Sequence, residues 1–377
     1  MRKGWEYKKL GDCTQILDSQ RKPVTKRDRK SGIYPYYGAT GIQDYVDKYI
    51  FDGRYVLVGE DGAKWSSFTQ SAFIIEGKTW VNNHAHVLRT NVFLVDSFLV
   101  YFLNYSDLDS YISGAIIRKL TQASLRNIDI PLPPKSTQLA IVSELDKINE
   151  LIRLKKEQLK DLDNLAQSLF YEMFGDPVEN EKGWEVKKLG DVCEVTSAKR
   201  VFIDEVVESG VPFIRGTELT ALSKLVPGEK MDYTLFITYE HYERLKAITG
   251  VPKIGDLLIP SINADGIVWM VDTEDPLYFK DGRVLWVHVN HEYYNSIAIQ
   301  KLMNVLIKNV FTSMGGATFA ELKLFVLRNM NVPTPPLSVQ DAFSEKIKQI
   351  DAQKLQVKKS IQDLETLLAS RMQYWFE

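Results

Sequence analysis

The densest positive charge in the chain lies in the stretch QRKPVTKRDRKSG, from Gln20 to Gly32, and the aromatic stretch YPYYGATG follows it at once. Lysine and arginine neutralise phosphates, while aromatic rings pack on sugars or bases, so such a loop is suited to following a nucleic-acid backbone. A solvated loop beside a tyrosine-rich turn is the equal alternative. The candidate DNA-binding residues here are Arg21, Lys22, Lys26, Arg27, Arg29, Lys30, Tyr36 and Tyr37.

A second and weaker basic signal lies in the other half of the chain. The stretch SAKR contains Lys199 and Arg200, and the stretch PFIRGTEL contains Arg215. Arginine is the side chain best shaped to grip guanine or phosphate, because its planar guanidinium presents paired donors. We therefore add all three residues to the candidate DNA contacts, with an internal salt bridge as the equal alternative for Arg215.

The sequence lacks the motifs of a catalytic protein. It contains no Gly-x-x-x-x-Gly-Lys-Ser/Thr phosphate loop, no Gly-x-Gly-x-x-Gly after a strand and no Asn/Asp-Pro-Pro-Tyr/Phe tetrapeptide of the amino-methyltransferases. His84 and His86 in NNHAHVLR would face the same way on a strand, but a closed zinc site needs four ligands, and no cysteine or further histidine is near in the sequence. We predict neither an active site nor a metal site.

Length and composition are those of a multidomain globular protein. With 377 residues, of which 45% are hydrophobic, the chain can form two or three domains with their own cores. No apolar run approaches the roughly 18 residues of a membrane span, and the first residues contain no apolar signal segment. Cys13 and Cys193 lack metal-ligand spacing. We expect a cytoplasmic protein with buried thiols and no membrane partner.

Charge is distributed unevenly along the chain, whose formal net charge is −2. Residues 1–130 carry 18 Lys and Arg against 14 Asp and Glu, whereas residues 176–334 carry 17 against 22. A polyanion would therefore be held by local patches or with the help of a partner. Because the second region has a net negative charge, we expect weak DNA binding by the chain alone.

Two phrases of the sequence occur twice and in the same order. GWEYKKLGD at Gly4–Asp12 returns as GWEVKKLGD at Gly183–Asp191, with eight of nine positions identical. LRNIDIPLPPKSTQ from Leu125 returns as LRNMNVPTPPLSVQ from Leu327, with eight of fourteen identical. The period is far longer than the roughly 20–50 residues of a solenoid repeat. The chain is therefore a tandem duplication of one large unit.

A long helix is predicted after each proline-rich phrase, because the apolar positions there alternate in steps of four and three, the period of a coiled coil. The first apolar stripe comprises Ile141, Leu145, Ile148, Ile152, Leu159, Leu162, Ala166, Leu169 and Met173, with Lys155 in one seam position. The second comprises Phe343, Ile347, Ile350, Val357, Ile361, Leu364, Leu368 and Trp375, with Lys354 and Arg371 in seam positions.

The two stripes bury each other most simply within one chain, and the helices run antiparallel if the two bodies sit at opposite ends. Two alternatives stay open at this point. Each helix could instead pack on its own domain, or the pairing could occur between two chains, and periodicity alone does not decide among the three.

Between the repeated phrases lie two bodies of mixed α+β character. Short β-rich runs such as YVLVG, GDLLIP and RVLWVHV alternate with turn clusters such as GEDGA and NADG. The middles of the bodies barely resemble each other, which favours two units held in equivalent places that recognise different things. The predicted domains are residues 1–133 and 176–335 for the bodies and residues 134–175 and 336–377 for the helices.

These features together resemble the specificity (S) subunits of type I restriction–modification enzymes over the whole chain. The resemblance is carried by the two GWE-x-KKLGD phrases, by PLPP and PTPP before the helices, and by phrases within the bodies. YYGATGIQDYVDKYIFDGRYVLVGEDGA and NNHAHVLR look like one subtype of target-recognition domain. VPFIRGTEL and GDLLIPSINADGIVWMV look like another.

The resemblance implies two target-recognition domains separated by an antiparallel intramolecular coiled coil, as a pseudo-twofold tandem repeat. Each domain would read one half of a bipartite, asymmetric site in double-stranded DNA, and the helices would set the unread gap. Two modification subunits would dock on the helices and bring S-adenosylmethionine. Restriction subunits would supply ATP- and Mg-dependent translocation and cleavage. No cofactor is expected on this chain, which is a non-catalytic subunit.

Two other functions stay open from the sequence. The chain could serve a type IIB-like enzyme, in which an S-type chain works with a fused methyltransferase–nuclease, and only the partner protein would tell the difference. It could also be a coiled-coil scaffold whose bodies bind other proteins, in which case no complex of it would bind DNA. The basic stretch between Arg21 and Lys30 speaks against the scaffold.

Overall fold

The computed structural model describes residues 5–114, 118–226, 229–313 and 321–377. The chain forms two compact units, Met1–Leu154 with Ile361–Glu377, and Lys155–Ser360. The division falls within two long helices, so each unit contains one body and a part of each helix. Among the described residues, no helix is both long enough and apolar enough to span a lipid bilayer.

The first unit begins with a β-rich body that leads into a long helix. Its strands are β1 (Glu6–Lys9), β2 (Thr14–Ile16), β3 (Ser31–Gly38), β4 (Gly41–Val46), β5 (Phe51–Gly59), β6 (Ala72–Val81), β7 (Ala85–Thr90), β8 (Ile112–Ser113), β9 (Lys119–Leu120) and β10 (Asp129–Leu132). Its helices are α1 (Leu10–Cys13), α2 (Asp96–Tyr105), α3 (Gln122–Arg126) and the beginning of α4 (Lys135–Phe174).

The second unit repeats this plan with shorter strands and longer helices. Its strands are β11 (Glu185–Lys188), β12 (Glu194–Ser197), β13 (Val211–Ile214), β14 (Phe236–Ile237), β15 (Leu257–Pro260), β16 (Trp269–Met270), β17 (Tyr278–Phe279), β18 (Val284–His288) and β19 (Asn331–Thr334). Its helices are α5 (Leu189–Val192), α6 (Gly216–Leu222), α7 (Tyr239–Thr249), α8 (Ser296–Ser313), α9 (Leu324–Arg328) and most of α10 (Leu337–Phe376).

The two repeated phrases pair with each other in both bodies. Strand β1 lies antiparallel to β10, with Glu6 opposite Leu132, and β11 lies antiparallel to β19, with Glu185 opposite Thr334. The glycine of each KKLGD phrase packs closely against the short helix of the second phrase. A Cβ at Gly11 would lie 3.1 Å from the side chain of Arg126, and one at Gly190 would lie 3.1 Å from a backbone oxygen of α9. The constant phrases therefore form a two-stranded ribbon that closes each body.

The bodies share a sheet topology despite their divergent sequences. The first sheet has the order β2–β7–β5–β6–β3–β4, and the second body contains β12–β18–β15–β16 beside β14–β13–β17. In both, the first four strands are antiparallel neighbours. Strand β3 runs parallel to β6, as β13 does to β17. The strand order that both bodies keep makes β12, β13, β14, β15 and β18 the counterparts of β2, β3, β4, β5 and β7.

The central strand of the first body is buried on both faces. Val56 and Val58 pack into the same apolar core as α2, whereas Tyr55 and Leu57 pack into a second cluster on the other face of the sheet. Alternate residues of a strand point to opposite faces, so a continuous apolar run is what a strand covered on both sides requires. This strand therefore forms a rigid support for the loops at its ends.

The two long helices pair within each unit, and the direction is antiparallel. In the first unit Arg371 of α10 forms an ion pair with Glu144 of α4, and Phe376 packs against α2 at Phe98 and Phe102. In the second unit Phe343 of α10 packs against the end of α4 at Phe170 and Phe174. Early residues of one helix thus meet late residues of the other, which confirms the predicted intramolecular coiled coil.

Two of the three cations in the apolar seam are paired with acids across the helices, and the third, Lys155, donates to Gln158 Oε1 of its own helix at 3.1 Å. Lys354 Nζ lies 2.6 Å from Asp163 Oδ1 in the second unit, and Arg371 binds Glu144 in the first. Helix α4 ends at Phe174, and the φ of +71° at the following Gly175 is the left-handed conformation that favours glycine after a helix. Acidic partners on the opposite helix therefore offset two of the three seam imperfections.

Candidate DNA interface

The predicted basic segments lie on equivalent connections in the two bodies. Residues 20–32 fall largely in the segment between β2 and β3, and Lys199 and Arg200 fall in the segment between β12 and β13. The two sequences show no similarity that would reveal this equivalence. It becomes visible only through the common strand order.

Arg21 lies in the interior rather than at the surface. Its guanidinium contacts Glu60 Oε2 at 2.5 Å and Asp18 Oδ2 at 3.3 Å, and it donates to the carbonyl of Ala85 at 2.8 Å. Only 12% of the side chain is exposed. The prediction that Arg21 contacts DNA loses its support, because its donors serve internal partners.

Arg29 and Tyr36 also have internal roles. The guanidinium of Arg29 stacks over the Tyr36 ring at 4.2 Å, pairs with Asp44 at 3.2 Å and donates to the carbonyl of Val24. Tyr36 is buried, and its hydroxyl accepts a hydrogen bond from the Val24 amide at 3.0 Å. Tyr37 is half-buried against Phe73, and burial raises the pKa of its phenol. Arg29, Tyr36 and Tyr37 therefore pack beneath the exposed part of the basic segment, and their polar groups are largely occupied by internal partners.

The remaining cations of the segment are at the surface. The side chains of Lys22, Lys26, Arg27 and Lys30 are exposed, and that of Arg27 is 91% exposed beside Asp28. These four residues are the part of the first predicted set that the structure places where a phosphate could reach them.

In the second body the predicted residues are exposed to different degrees. Lys199 and Arg200 lie at the surface, and the guanidinium of Arg200 sits 5.5 Å from the ring of Phe202. Arg215 is 41% exposed and forms a two-pronged ion pair with Glu218, with Nη2–Oε1 at 2.9 Å and Nε–Oε2 at 3.2 Å. The internal salt bridge foreseen as the alternative for Arg215 is therefore present, while part of its guanidinium still faces solvent.

Glu218 carries a strongly perturbed carboxyl group. Burial raises the pKa of Glu218, but hydrogen bonds from Arg215, Thr217 and the backbone outweigh burial and lower the pKa to about 2. The carboxylate is thus charged throughout the neutral range. Its partner Arg215 is held in one orientation at the rim of a groove.

That groove lies at the carboxyl ends of three strands in the second body. Arg215 directly follows β13, Ser261 follows β15 and Lys280 follows β17. Together with Arg283 and the hydroxyl-bearing Thr217 and Thr220, they line a cavity of about 530 Å³. Lys280 is exposed, and Arg283 is half-exposed beside Glu321. Cations and hydroxyl groups are the usual protein ligands of phosphate oxygens.

The first body has a groove that shares one of these positions. It is lined by the loop after β5, the counterpart of β15, and it also measures about 530 Å³. The lining includes Lys64, Trp65, Ser66 and Arg118, with Asp109 paired to Arg118 at 2.8 Å. The Trp65 side chain is fixed by a hydrogen bond from its indole to the Gly59 carbonyl. Both bodies therefore present a basic groove at the end of the central strand.

His84 and His86 do not form a shared metal site. His84 lies in the turn before β7 and pairs with Asp61, whereas the buried His86 contacts Asp18 at 2.6 Å and the Leu120 carbonyl at 2.7 Å. Ligand atoms of Asp18, Glu60 and His86 lie within 4.8 Å of one another. Arg21 and Lys119 already neutralise these carboxylates, so the group fits a buried ion-pair network better than a cation site.

The groove residues Lys64, Arg118, Lys280 and Arg283 were missed by the sequence analysis. They stand singly or in twos at turns and strand ends, without the dense clustering that marks residues 20–32. A usable signal existed for two of them: Lys64 comes soon after the strand-like run YVLVG, and Arg283 comes directly before the run VLWVHV, where loops gather at one end of a sheet.

The fold and its paired basic grooves describe a protein with two separate binding bodies, each attached to long helices. The family model described as "Type I restriction modification DNA specificity domain" matches residues 2–164 and again residues 181–366. The chain therefore belongs to the family of type I restriction enzyme specificity subunits. In such a system the specificity subunit is non-catalytic and acts with DNA and with the other subunits of the system.

Relatives and solved structures agree with this membership. A predicted type I restriction enzyme specificity subunit of Haemophilus influenzae is 32% identical over 342 residues, which cover 89% of this chain and 84% of that protein. The MjaVIII specificity subunit of Methanocaldococcus jannaschii is 23% identical and covers 92% and 86% of the two chains.

The fold is that of solved specificity subunits. The crystal structure of the type I S subunit from M. genitalium matches with a TM-score of 0.58 at 15% identity, over 99% of this chain and 96% of that one. A chain from a study of complex assembly and conformational transition in the type I system matches with a TM-score of 0.59 at 18% identity, over 100% and 98%. The predicted α+β fold with tandem recognition domains is confirmed.

Proposed function

We propose that each body reads one half of a bipartite, asymmetric site in double-stranded DNA, and that the long helices set the unread gap. The observation that carries the proposal is the contrast between constant and variable parts. The ribbon and the start of the helix occur in both halves with the same strand pairing and with repeated phrases, while the bodies keep a strand order and differ in sequence. Constant attachments hold two readers in the same way, and divergent readers suit two different base sequences.

The groove at the end of each central strand is the proposed place of contact with the DNA backbone. The exposed cations Lys64 and Arg118 in the first body, and Lys280 and Arg283 in the second, line these grooves. Lys22, Lys26, Arg27 and Lys30 extend the positive surface of the first body, and Lys199 and Arg200 that of the second. Phosphate contacts fix register and orientation, while bases are read by further groups of the same bodies.

The proposal assigns the remaining activities to partner subunits. Two modification subunits dock on the helices and bring S-adenosylmethionine, and restriction subunits bring ATP and Mg²⁺ for translocation and cleavage. Exposed leucines support docking on α4, since Leu139, Leu151, Leu154 and Leu165 are solvent-accessible on a helix that already buries an apolar seam. A DNA substrate within the cell makes the cytoplasm the proposed location.

The experiment is a methylation map. The chain is co-expressed with the modification subunit of its own system, and methyl-adenine in the host DNA is located by long-read sequencing. A single bipartite, asymmetric motif with a fixed gap supports the proposal. Methylation at one continuous motif would contradict two-body reading, and a stable complex without new methylation would contradict DNA recognition altogether.

The grooves yield a sharper prediction. Lys64→Glu and Lys280→Glu should each weaken DNA binding by the assembled complex at all sequences and reduce the slope of log K against log salt by about one. Lys48→Glu is the matched control, because Lys48 is exposed before the opposite end of β5. Titration of labelled DNA at several salt concentrations checks this. Equal effects of all three variants on DNA binding would show that the grooves are not part of the DNA interface.

A further inference from the structure

One buried glutamine ties the first long helix to the first body. The side chain of Gln138, in the first turns of α4, is fully buried. Its Oε1 accepts a hydrogen bond from the Val95 amide at 2.9 Å, and its Nε2 donates to the Phe93 carbonyl at 2.8 Å and to the Pro133 carbonyl at 2.9 Å. The amide thus joins three segments: the helix, the proline linker before it and the loop before α2.

The second body contains the same arrangement. Gln340 of α10 is fully buried, and its Oε1 accepts a hydrogen bond from the Asn295 amide at 2.9 Å. Its Nε2 donates to the Tyr293 carbonyl at 2.9 Å and to the Pro335 carbonyl at 2.7 Å. The partners are again the proline linker and the loop before the body's helix, here α8. Three hydrogen bonds repeat with nearly the same lengths between bodies whose own sequences diverge.

The side-chain amide of each glutamine fixes the orientation of the helix through hydrogen bonds, which are directional, whereas apolar packing is not. Both donors of the Nε2 group and the Oε1 acceptor are engaged, so rotation of the helix against the body breaks bonds that no water can replace in a buried site. Apolar contacts tolerate small rotations far better, because they have no preferred direction. The covalent linker alone would leave the angle between helix and body less defined.

The length of the helix amplifies any change in that angle. Residues 135–154, the part of α4 in the first unit, extend about 30 Å at 1.5 Å per residue. A tilt of about 6° at the junction moves the far end by about 3 Å. That is close to the rise of about 3.4 Å between successive base pairs. A loosened junction therefore lets the far end of the helix shift by a distance comparable to one base-pair step, which weakens the discrimination between gaps.

We infer that Gln138 and Gln340 are positioning residues that set the gap selectivity of the subunit. They hold each recognition body at a fixed angle to its helix, so that only DNA with the correct spacing places both half-sites against their readers. The inference rests on the proposed function, since it requires bipartite reading across a fixed gap. Neither residue touches DNA in this role.

The test uses the chain assembled with its modification subunits. Gln138→Met and Gln340→Met keep the side-chain volume and remove all three hydrogen bonds. Methylation rates are measured on duplexes with the mapped half-sites and gaps shortened or lengthened by one base pair. Either variant should reduce the preference for the native gap by about tenfold, which corresponds to about 1.4 kcal/mol. Gln167→Met, the same change at an exposed position of α4, should leave the preference unchanged.

The outcomes separate the inference from the function it rests on. If the wild-type complex methylates all gaps alike, the proposed function itself fails, and the inference with it. If the wild-type complex is selective and a folded variant keeps that selectivity, only the inference fails. A uniform loss of methylation at every gap would likewise overturn it, because that is the result of a merely structural role. The two junctions are independent, so one well-folded variant is enough.

Discussion

At the scale of single residues, neighbours in the basic stretch have opposite roles. Arg21 is buried in an ion-pair network with Asp18 and Glu60, whereas Arg27 is almost fully exposed. The sequence shows six cations in a row of thirteen residues and cannot distinguish them, because burial depends on strands that arrive from elsewhere in the chain. The sequence therefore identifies the basic stretch but does not tell which of its cations are buried and which are exposed.

This difference predicts separate outcomes for two substitutions. Arg21→Gln leaves buried carboxylates short of a cation, so it should lower the free energy of unfolding by about 3–5 kcal/mol. Arg27→Glu should change that free energy by no more than about 0.5 kcal/mol and should weaken methylation of target DNA. Urea unfolding and a methylation assay check both. Similar unfolding curves for the two variants would contradict the assignment.

A second residue-scale prediction concerns the acid stability of the second body. Because the folded pKa of Glu218 is about 2, below its ordinary value of 4.5, the charged pair with Arg215 stabilises the fold above about pH 4.5. This stabilisation is lost as the pH falls from 4.5 towards 2. Glu218→Gln should therefore be less stable than the wild type by roughly 2–3 kcal/mol at pH 7.

The difference between the wild type and Glu218→Gln should shrink steadily below pH 4.5 and vanish near pH 2. Thermal unfolding of both proteins across this range checks the sign. Glu208→Gln, at an exposed position of the same body, is the control for a general effect of lost negative charge. A constant difference at every pH would show that the ionised form of Glu218 is not what stabilises the body.

At the scale of elements, the long helices can be predicted from the sequence, whereas the fold of the bodies can be predicted only in part. An apolar stripe with a period of 3.5 residues determines a helix and its buried side, so α4 and α10 could be predicted. The shared strand order could not, since any apolar residue fills a buried strand position. Gln138 and Gln340 are the identical last residues of the repeated phrase, but their partners are backbone groups, so the sequence does not reveal what the two side chains bind.

The ion pair between Arg371 and Glu144 should contribute modestly to the free energy of unfolding, and swapping the two charges should restore part of that contribution. The side chains of Arg371 and Glu144 are each about one-third exposed, so Arg371→Glu should lower the free energy of unfolding by about 1 kcal/mol. Adding Glu144→Arg should recover part of this loss, although the hydrogen bond from the Trp375 indole to Glu144 is not restored. Urea unfolding of the four combinations checks the coupling. Strictly additive losses would contradict a direct pair.

At the scale of the whole molecule, the ribbons make each body an exchangeable part. Replacing residues 10–128 with the corresponding body of the Haemophilus influenzae relative leaves β1, β10 and the helices in place. The chimaera should direct methylation to a motif in which one half-site is new, while the other half-site and the gap are unchanged. The methylation map checks this. A changed gap would show that the bodies, and not the helices, set the spacing.

The ribbon also has a consequence for heredity. Each body begins and ends in the paired strands of the repeated phrases, with Glu6 opposite Leu132 and Glu185 opposite Thr334. A genetic crossover within these phrases moves one complete body, while the residues by which the long helices join its core, such as Ile141, Leu145 and Met372, stay behind. A new specificity can thus arise in a single recombination event, without intermediate proteins that have lost DNA recognition.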